Sequence, residues 1–152
     1  RHTPRVKMTV RRLLGFRQQE ADDVLQETWL AACRGMNAYR GDAPFSAWLT
    51  SIAARTTYAA LSRMTSREEE QMADGVAAAE TDTPSAIDLE RALAALPDSQ
   101  RMVVILHDVE GFTHHEIGDQ LGMATGTSKA TLSRARRALR ELLNGGMYNA
   151  TR

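Results

Sequence analysis

The chain has 152 residues, 43% hydrophobic content, few aromatic residues, one cysteine and a formal net charge of zero. This length can bury one substantial core or two small ones, and the abundance of Ala, Leu and Arg favours an all-helical fold. No long apolar run or signal-peptide pattern is present, so we expect a soluble protein that is not inserted in a membrane. The single Cys33 excludes an intramolecular disulfide and a cysteine-based zinc site, which fits a reducing cytoplasm, and we expect its side chain to be packed.

Charges are segregated along the chain, so the zero sum does not exclude nucleic-acid binding. Residues 1–17 carry six basic side chains and no acid, whereas residues 20–27 carry four acids and no base. The opening sequence RHTPRVKMTVRRLLG resembles the interior of a helical region. We therefore expect that the true N-terminus of the protein precedes it.

Residues 21–34, ADDVLQETWLAACR, predict an amphipathic helix with an acidic start. Its buried side is predicted to consist of Val24, Leu25, Thr28, Trp29 and Ala32. Acids near a helix N-terminus are stabilised by the helix dipole, which accounts for Asp22 and Asp23. The dipole does not account for Gln26 and Glu27, which extend the polar edge further along the helix.

A turn-rich stretch, NAYRGDAPFSAW, follows this helix, and Gly41 and Pro44 interrupt any helical pattern there. Three aromatic residues cluster in and after the turn: Tyr39, Phe45 and Trp48. Helical periodicity then resumes in WLTSIAARTTYAALSRM, which carries Arg55 and Arg63. Aromatic and basic side chains in this arrangement can hold unstacked bases of single-stranded DNA, although such aromatics also serve as core.

Residues 66–84 are predicted to form an acidic flexible linker. Eight acids and no base occur from Glu68 to Glu90, together with Gly, Pro, Ser and Thr and without a sustained apolar face. This interruption predicts two small helical domains, residues 1–65 before the linker and residues 85–145 after it.

A short capped helix is predicted from Thr113. Thr113 followed three residues later by Glu116 forms a capping box, whose hydroxyl and carboxylate bind amide groups that the first turn leaves free. Ile117 and Leu121 lie one turn apart on a face that can be buried. Gly122 follows where a tight turn needs positive φ or a close backbone approach, so the helix is expected to end there.

A second helix is predicted to follow, with Thr127 as its cap. An apolar stripe at spacings of three and four residues runs along it, formed by Leu132, Ala135, Leu139 and Leu142. The opposite face is basic, with small residues between the charges: Ala130, Ser133, Arg134 and Arg137, flanked by Lys129 and Arg140. Such a face fits the DNA major groove, so the two helices predict a DNA-binding helix-turn-helix.

Three blocks in this order resemble the bacterial sigma factors of the extracytoplasmic-function group, the minimal type with two conserved domains. The blocks are ADDVLQETWL, YRGDAPFSAWLTSIA and LPDSQRMVVILHDVEGFTHHEIGDQLGMATGTSKATLSRARRAL, and they span most of residues 21–139. The resemblance implies an all-α protein whose two domains correspond to sigma region 2 and sigma region 4. It also implies a cytoplasmic factor, not an enzyme and without a cofactor or metal, that binds core RNA polymerase and directs promoter recognition, melting and initiation.

The resemblance further implies a role for each block. The first would bind the clamp helices of the largest polymerase subunit through Asp23, Gln26, Glu27 and Leu30. The second would capture a flipped base of the promoter −10 element through Tyr39, Arg40, Gly41, Asp42 and Phe45, with added contacts from Arg55, Thr56 and Arg63. The third would read the −35 element through Thr127, Lys129, Ala130, Ser133, Arg134 and Arg137, near the polymerase flap region. Base flipping of this kind needs stacking and hydrogen bonds but no bond chemistry.

Members of this group are commonly controlled by an anti-sigma factor, often membrane-anchored, and the resemblance implies such a partner here. The chain also departs from the family pattern. Arg55 stands where Asn is frequent, and GTSKATLSRAR replaces the commoner GTVKSRLHRAR. The promoter sequence therefore does not follow from the resemblance.

Two other functions compete with this interpretation. An operator-binding regulator would explain the helix-turn-helix but would leave QETWL and YRGDAPF without a role. A metalloenzyme is suggested by a group of neighbouring residues: His107, Asp108, His114, His115 and Glu116. A zinc motif of the His-Glu-x-x-His type needs a second histidine at position 119, where this chain has Asp119.

Overall fold

Every regular element of residues 1–72 and 89–150, which this computed structural model describes, is a helix. The α-helices are α1 (Thr3–Leu14), α2 (Ala21–Gly35), α3 (Phe45–Met72), α4 (Leu89–Ala95), α5 (Asp98–Val104), α6 (His114–Leu121) and α7 (Thr125–Ala150). Single 3-10 turns at Gln18–Glu20 and Met36–Ala38 flank α2, and a π-helical turn at Ile105–Val109 continues α5. The predicted all-α fold is confirmed.

Helix α1 lies at the centre of the packing. Its apolar positions recur every three or four residues and are buried: Val6, Val10, Leu13 and Leu14. It contacts α2 and α3, which follow it in the chain, and also α4 and α5 from the second half. The buried residues therefore form one continuous core, which extends from Leu49 and Leu61 on α3 to Met102 on α5.

A buried arginine joins the two halves of the chain. Arg101 on α5 is only 2% exposed, and its guanidinium donates hydrogen bonds to the carbonyl oxygens of Leu13 at 2.7 Å and Leu96 at 2.9 Å and to Asp98 at 2.5 Å. Gly15 follows α1 with φ of +63°, and a Cβ at that position would lie 3.0 Å from Cζ and Nε of Arg101. Glycine is needed there for both its backbone conformation and its lack of a side chain.

Further polar contacts surround this junction. The Arg17 side chain donates to Asp98 at 3.2 Å and to Glu68 at 2.9 Å, which ties the end of α3 to the start of α5. Glu110, after the π-helical turn, accepts a hydrogen bond from the Thr9 hydroxyl of α1 at 2.8 Å. Specific polar contacts as well as apolar packing thus hold the two halves together.

Two expectations need correction. Helix α3 continues to Met72, past the predicted domain boundary at residue 65, because the glutamates that suggested a linker are good helix formers. The remainder of the predicted linker, residues 73–84, lies outside the described residues. Cys33 is exposed rather than packed, because it points away from the side of α2 on which Ala32 is buried.

Candidate nucleic-acid interface

Packed aromatic rings organise the loop between α2 and α3. The ring centroid of Tyr39 lies 5.6 Å from that of Phe45 and 5.1 Å from that of Trp48. The Tyr39 hydroxyl donates a hydrogen bond to the carbonyl oxygen of Ala43 at 2.7 Å. Phe45 and Trp48 also contact each other, with centroids 5.3 Å apart, at the start of α3. These contacts hold the loop in one shape.

The exposed part of this loop borders a cavity of about 320 Å³. Gly41 turns the chain with φ of +80°, which leaves Arg40 and Asp42 exposed on either side. The loop and α3 supply one wall of the cavity: Ala38, Tyr39, Arg40, Asp42, Ala43, Ala47, Trp48, Ser51 and Arg55. Four of the eight residues predicted for the −10 element thus line one cavity: Tyr39, Arg40, Asp42 and Arg55.

The facing wall of the cavity comes from the second half of the chain. It consists of Phe112 and three polar residues of α6: Glu116, Asp119 and Gln120. The loop therefore faces the first helix of the helix-turn-helix. Nothing in the local sequence pattern predicted this contact.

Two residues predicted for the same site lie elsewhere. The Thr56 hydroxyl is 2.6 Å from that of Thr28 on α2, and it also donates to backbone carbonyl oxygens of its own helix. Thr56 is therefore a packing residue between α2 and α3. Arg63 lies two turns beyond Arg55 and is paired with Glu27 at 3.3 Å, on the surface predicted for polymerase.

The four residues predicted to bind polymerase share one exposed face of α2. Asp23, Gln26, Glu27 and Leu30 follow one another at helical spacings of three, one and three, and Leu30 is 49% exposed. The buried side of this helix contains Val24, Thr28 and Ala32, as predicted. An apolar side chain beside carboxylates, held on a packed helix, makes a surface suited to a partner with complementary charge.

The cap at Thr113 and the glycine turn of the helix-turn-helix are confirmed, whereas the Glu116 carboxylate accepts from the Thr113 hydroxyl at 3.0 Å and not from a backbone amide as the capping box predicts. The Thr113 side chain accepts a hydrogen bond from the amide of Glu116 at 3.2 Å, and Gly122 ends α6 in the left-handed conformation with φ of +68°. A Cβ on Gly118 would lie 2.5 Å from the carbonyl oxygen of Met123, so a glycine is also needed inside α6. The prediction that Thr127 caps the second helix is wrong, because α7 already begins at Thr125.

The two faces of α7 agree with the sequence pattern. Leu132 and Ala135 are buried, and Leu139 and Leu142 pack partly against the core. All the residues predicted to read the −35 element are exposed: Thr127, Lys129, Ala130, Ser133, Arg134 and Arg137. They form a basic face with small side chains between the charges, which permits close approach to a DNA groove.

One arginine of α7 is used within the protein. Arg136 donates to both carboxylate oxygens of Asp108, at 3.0 and 2.6 Å. The hydrogen bond from Arg136 holds the pKa of Asp108 below its ordinary value, against a smaller opposing effect of burial. Arg136 is exposed, but its guanidinium is paired with Asp108, and the helical pattern does not predict this pairing.

The histidines of α6 point to different partners. His114 contacts Ser128, whereas His115 lies 3.6 Å from Asp119 on its own helix. Among residues 1–72 and 89–150, no group of three or more His, Cys, Asp or Glu side chains is arranged to hold a metal ion. None of the helices described is both long and apolar enough to cross a membrane.

Comparisons with known families match both halves of the chain. The profile for sigma-70 region 2 matches residues 1–67, and the profile for sigma-70, region 4 matches residues 86–139. The ECF RNA polymerase sigma factor SigM of Mycobacterium tuberculosis is 35% identical over 134 residues, which cover 87% of this chain and 68% of the relative. The ECF RNA polymerase sigma-E factor of Escherichia coli K12 is 28% identical over 137 residues, covering 79% and 72%.

Solved structures of similar fold come from the same group. The sigma factor RpoE of Bartonella quintana, in complex with the anti-sigma factor NepR, superposes with a TM-score of 0.70 at 29% identity and covers 94% of this chain and 92% of that one. CnrH, in complex with the cytosolic domain of CnrY, gives a TM-score of 0.60 at 25% identity, with coverage of 95% and 84%. Both matches extend over the two halves of the chain.

Proposed function

The chain belongs to the extracytoplasmic-function group of sigma-70 factors, and we propose which of its surfaces bind RNA polymerase and which bind the two promoter elements. As a member of this family it is a non-enzymatic factor that binds RNA polymerase core and directs promoter recognition, DNA melting and initiation. The matches to both regions account for QETWL and YRGDAPF, which the regulator alternative leaves without a role. We propose that the two halves of the chain, which match sigma-70 region 2 at residues 1–67 and sigma-70, region 4 at residues 86–139, act on different promoter elements. We also propose a cytoplasmic location, where core polymerase is found.

We propose that the exposed face of α2 binds the clamp helices of the largest polymerase subunit. Asp23, Gln26 and Glu27 would supply polar contacts, and the exposed Leu30 would supply an apolar one. Arg63 belongs to this surface in our proposal, because its ion pair with Glu27 places it there. An exposed pair of this kind adds little stability, so exchanging it for contacts with a partner costs little.

The loop between α2 and α3 is proposed to hold a base of the −10 element. Tyr39 supplies aromatic surface in the cavity and packs against Phe45, and Arg40, Asp42 and Arg55 supply polar groups around the same cavity. Stacking on an aromatic ring and hydrogen bonds to base edges can offset the loss of base pairing. The observation that carries this proposal is that three of the predicted loop residues, Tyr39, Arg40 and Asp42, line one cavity together with Arg55.

We propose that α7 reads the −35 element from the major groove. Lys129, Arg134 and Arg137 can reach phosphates or guanine edges, whereas Ala130 and Ser133 leave room for close approach. Thr127 lies in the first turn of α7, where its hydroxyl can contact the DNA backbone. The same domain is proposed to lie near the polymerase flap.

The arrangement of the two halves has a consequence for promoter binding. Elements at −10 and −35 are separated by about 25 base pairs, or ~85 Å along B-DNA at about 3.4 Å per step. A compact chain of this length has a radius of gyration of only ~15 Å. The −10 loop and α6 line the same cavity, so one chain in this arrangement does not reach both elements. We propose that the halves separate when the protein joins polymerase.

An anti-sigma factor is the regulatory partner that the relatives support. The similar structures of RpoE and CnrH were solved with NepR and with the cytosolic domain of CnrY. We call the arrangement in which the two halves pack against each other the closed arrangement. We propose that an anti-sigma factor binds this chain in the closed arrangement and keeps the −10 loop from DNA. We further propose that this partner is membrane-anchored, which recovery of the tagged chain with detergent-solubilised membranes would test.

A fork-junction DNA tests the proposed −10 site. Its −10 strand is single-stranded, and binding of the reconstituted holoenzyme is measured by fluorescence anisotropy. Tyr39→Ala should weaken binding about 5- to 150-fold, since stacking of one base contributes about 1 to 3 kcal/mol. Tyr39→Phe is the matched control, because it keeps the ring and loses only the hydrogen bond to Ala43. Equal affinity of the Tyr39→Ala and wild-type holoenzymes would refute the assignment.

A further inference from the structure

Helix α7 is fastened to the rest of its domain at two polar points. Near its start, Ser128 is completely buried, and its hydroxyl lies 2.9 Å from Nδ1 of His114 on α6. Two turns later, Arg136 binds both oxygens of Asp108. Eight residues separate the two points, which corresponds to ~12 Å along the helix.

A stacked pair of histidines connects these points. The rings of His107 and His114 have centroids 4.5 Å apart and are inclined by 16°. Nδ1 of His107 lies 2.9 Å from the Asp108 carboxylate, which in turn binds Arg136. We call these five side chains, each in contact with the next, the histidine clamp: Ser128, His114, His107, Asp108 and Arg136.

The π-helical turn supplies the middle of the clamp. His107 and Asp108 both lie in the turn at Ile105–Val109, where the amide of Glu110 donates to the carbonyl oxygen of Ile105 at 3.0 Å. The wider turn changes the direction of side chains relative to a continuous α-helix, and such turns are frequent at functional sites. Here it presents one side chain to α6 and the next to α7.

The clamp residues alternate with the exposed basic face of α7. Ser128 lies between Thr127 and Lys129, and Arg136 directly precedes Arg137. A small rotation or tilt of α7 would therefore move the groups that reach DNA. Major-groove readout depends on such placement, since bidentate contacts with base edges have narrow geometry.

We propose that His114 and Ser128 are positioning residues for recognition of the −35 element, acting through the histidine clamp, and that protonation of the clamp weakens this recognition. The inference rests on the proposed reading of the −35 element by α7. It assigns a role to residues that do not themselves face DNA, and it makes promoter selection sensitive to pH.

The expected direction of the pH effect follows from the groups around His114. Desolvation lowers the pKa of His114 below its ordinary value of 6.5, and the positive charges of His107, Lys129 and Arg136 act in the same direction, with Asp108 opposing them. The other ionisable neighbours on α6 are engaged elsewhere, His115 with Asp119 and Glu116 with Thr113. Proton uptake therefore favours states in which the clamp is open, and recognition should weaken as pH falls below about 6.5.

Three variants separate positioning from general stability. His114→Ala and Ser128→Ala each remove the hydrogen bond between α6 and α7, from opposite sides. His114→Asn keeps a hydrogen-bonding group near the place of Nδ1 but takes up no proton in this pH range. His115→Ala is the matched control, because it removes a neighbouring histidine that lies outside the clamp.

Transcription by the reconstituted holoenzyme gives the readout. Initial rates are compared on two fragments with the same −10 element, one with its −35 element intact and one with it scrambled, between about pH 6 and 8. The ratio of the two rates should fall about fivefold in both alanine variants, equivalent to about 1 kcal/mol, and should be kept by His114→Asn and by the control. In the wild type the ratio should fall below about pH 6.5, whereas His114→Asn should give a flat profile.

Other outcomes would overturn the proposal. His114→Ala with the same ratio as His115→Ala would exclude a positioning role. Equal loss of activity on both fragments would show that the clamp only stabilises the domain. A fall in the ratio of the two rates in His114→Asn, as large as that in His114→Ala, would show the same. A wild-type ratio of one at every pH would instead refute the reading of the −35 element by α7, and the clamp's role with it.

Discussion

Replacing Arg101 with leucine should loosen the closed arrangement and favour separation of the two halves. Arg101 donates to three groups, of which the Leu13 carbonyl belongs to the first half of the chain and the Leu96 carbonyl and Asp98 to the second. Leucine fills part of the same buried space but donates no hydrogen bond. The hydrogen bond from Arg101 to the Leu13 carbonyl, one of several contacts between the halves, is thereby lost, while Asp98 keeps its bond from Arg17.

The magnitude follows from these bonds. A hydrogen bond from a charged donor contributes about 1.5 to 3 kcal/mol, so losing the bond to Leu13 should shift the equilibrium between closed and separated halves about 10- to 150-fold. The buried carbonyl of Leu96 also loses its donor from Arg101, at a further cost of about 1 to 3 kcal/mol to the free energy of unfolding. The same change at the exposed Arg11 should have little effect on either quantity.

Energy transfer between two dyes measures the separation directly. One dye is attached to the exposed Cys33 on α2, the only cysteine of the chain, and the other to a cysteine introduced by Arg140→Cys on α7. Arg101→Leu should lower the transfer efficiency and the midpoint of urea unfolding, whereas Arg11→Leu should change neither. Transfer and midpoint values equal to those of the Arg11→Leu control would show that the buried arginine does not hold the halves together.

Gly15→Ala offers an independent test of the same contact. The added Cβ would lie 3.0 Å from Cζ and Nε of Arg101, at a backbone φ of +63° that side chains disfavour. The variant should therefore separate the halves in the same direction as Arg101→Leu. Because both changes act on one contact, the double variant should show less than the sum of the two effects. Full additivity would contradict the proposed link between the two residues.

The remaining predictions concern separate surfaces. Glu27→Arg should weaken binding to core polymerase, and adding Arg63→Glu should restore the ion pair without restoring core affinity, as titration with labelled core would measure. Arg134→Ala should weaken binding of a duplex −35 element by about 1 to 3 kcal/mol in the holoenzyme and leave core affinity intact. Equal loss of DNA affinity and core affinity would contradict the assignment of DNA binding to α7 and core binding to α2. The lowered pKa of Asp108 stabilises the fold fully above about pH 3.8, and this contribution is lost as pH falls through the folded-state value. Acid unfolding of Arg136→Ala should therefore show a smaller pH dependence than that of the wild type.

Features governed by neighbouring residues could be predicted from the sequence. The cap at Thr113, the left-handed Gly122 and the apolar stripe of α7 each depend on contacts within one or two turns. The exposed face of α2 followed from helical spacing in the same way. The start of α7 was misplaced because Thr125 and Thr127 are both suitable near a helix N-terminus, and the local pattern does not choose between them.

Contacts between distant parts of the chain could not be predicted in this way. Arg101 and Leu13 are 88 residues apart, and an arginine in an amphipathic helix is ordinarily exposed. The inward position of Thr56 depends on the hydroxyl of Thr28, which lies on another helix. The histidine clamp depends on a π-helical turn that the apolar periodicity does not indicate. These features arise from packing between helices, which a helical pattern constrains only by its apolar faces.

Run-off transcription with core polymerase most directly tests the central claim that this chain is a promoter-specific initiation factor. The assay combines the purified chain, sigma-free bacterial core polymerase and a library of promoter fragments. We predict transcripts that require this protein and that start downstream of a shared pair of −10 and −35 elements. A chain that neither associates with core nor yields such transcripts, while still binding a defined duplex, would contradict the account.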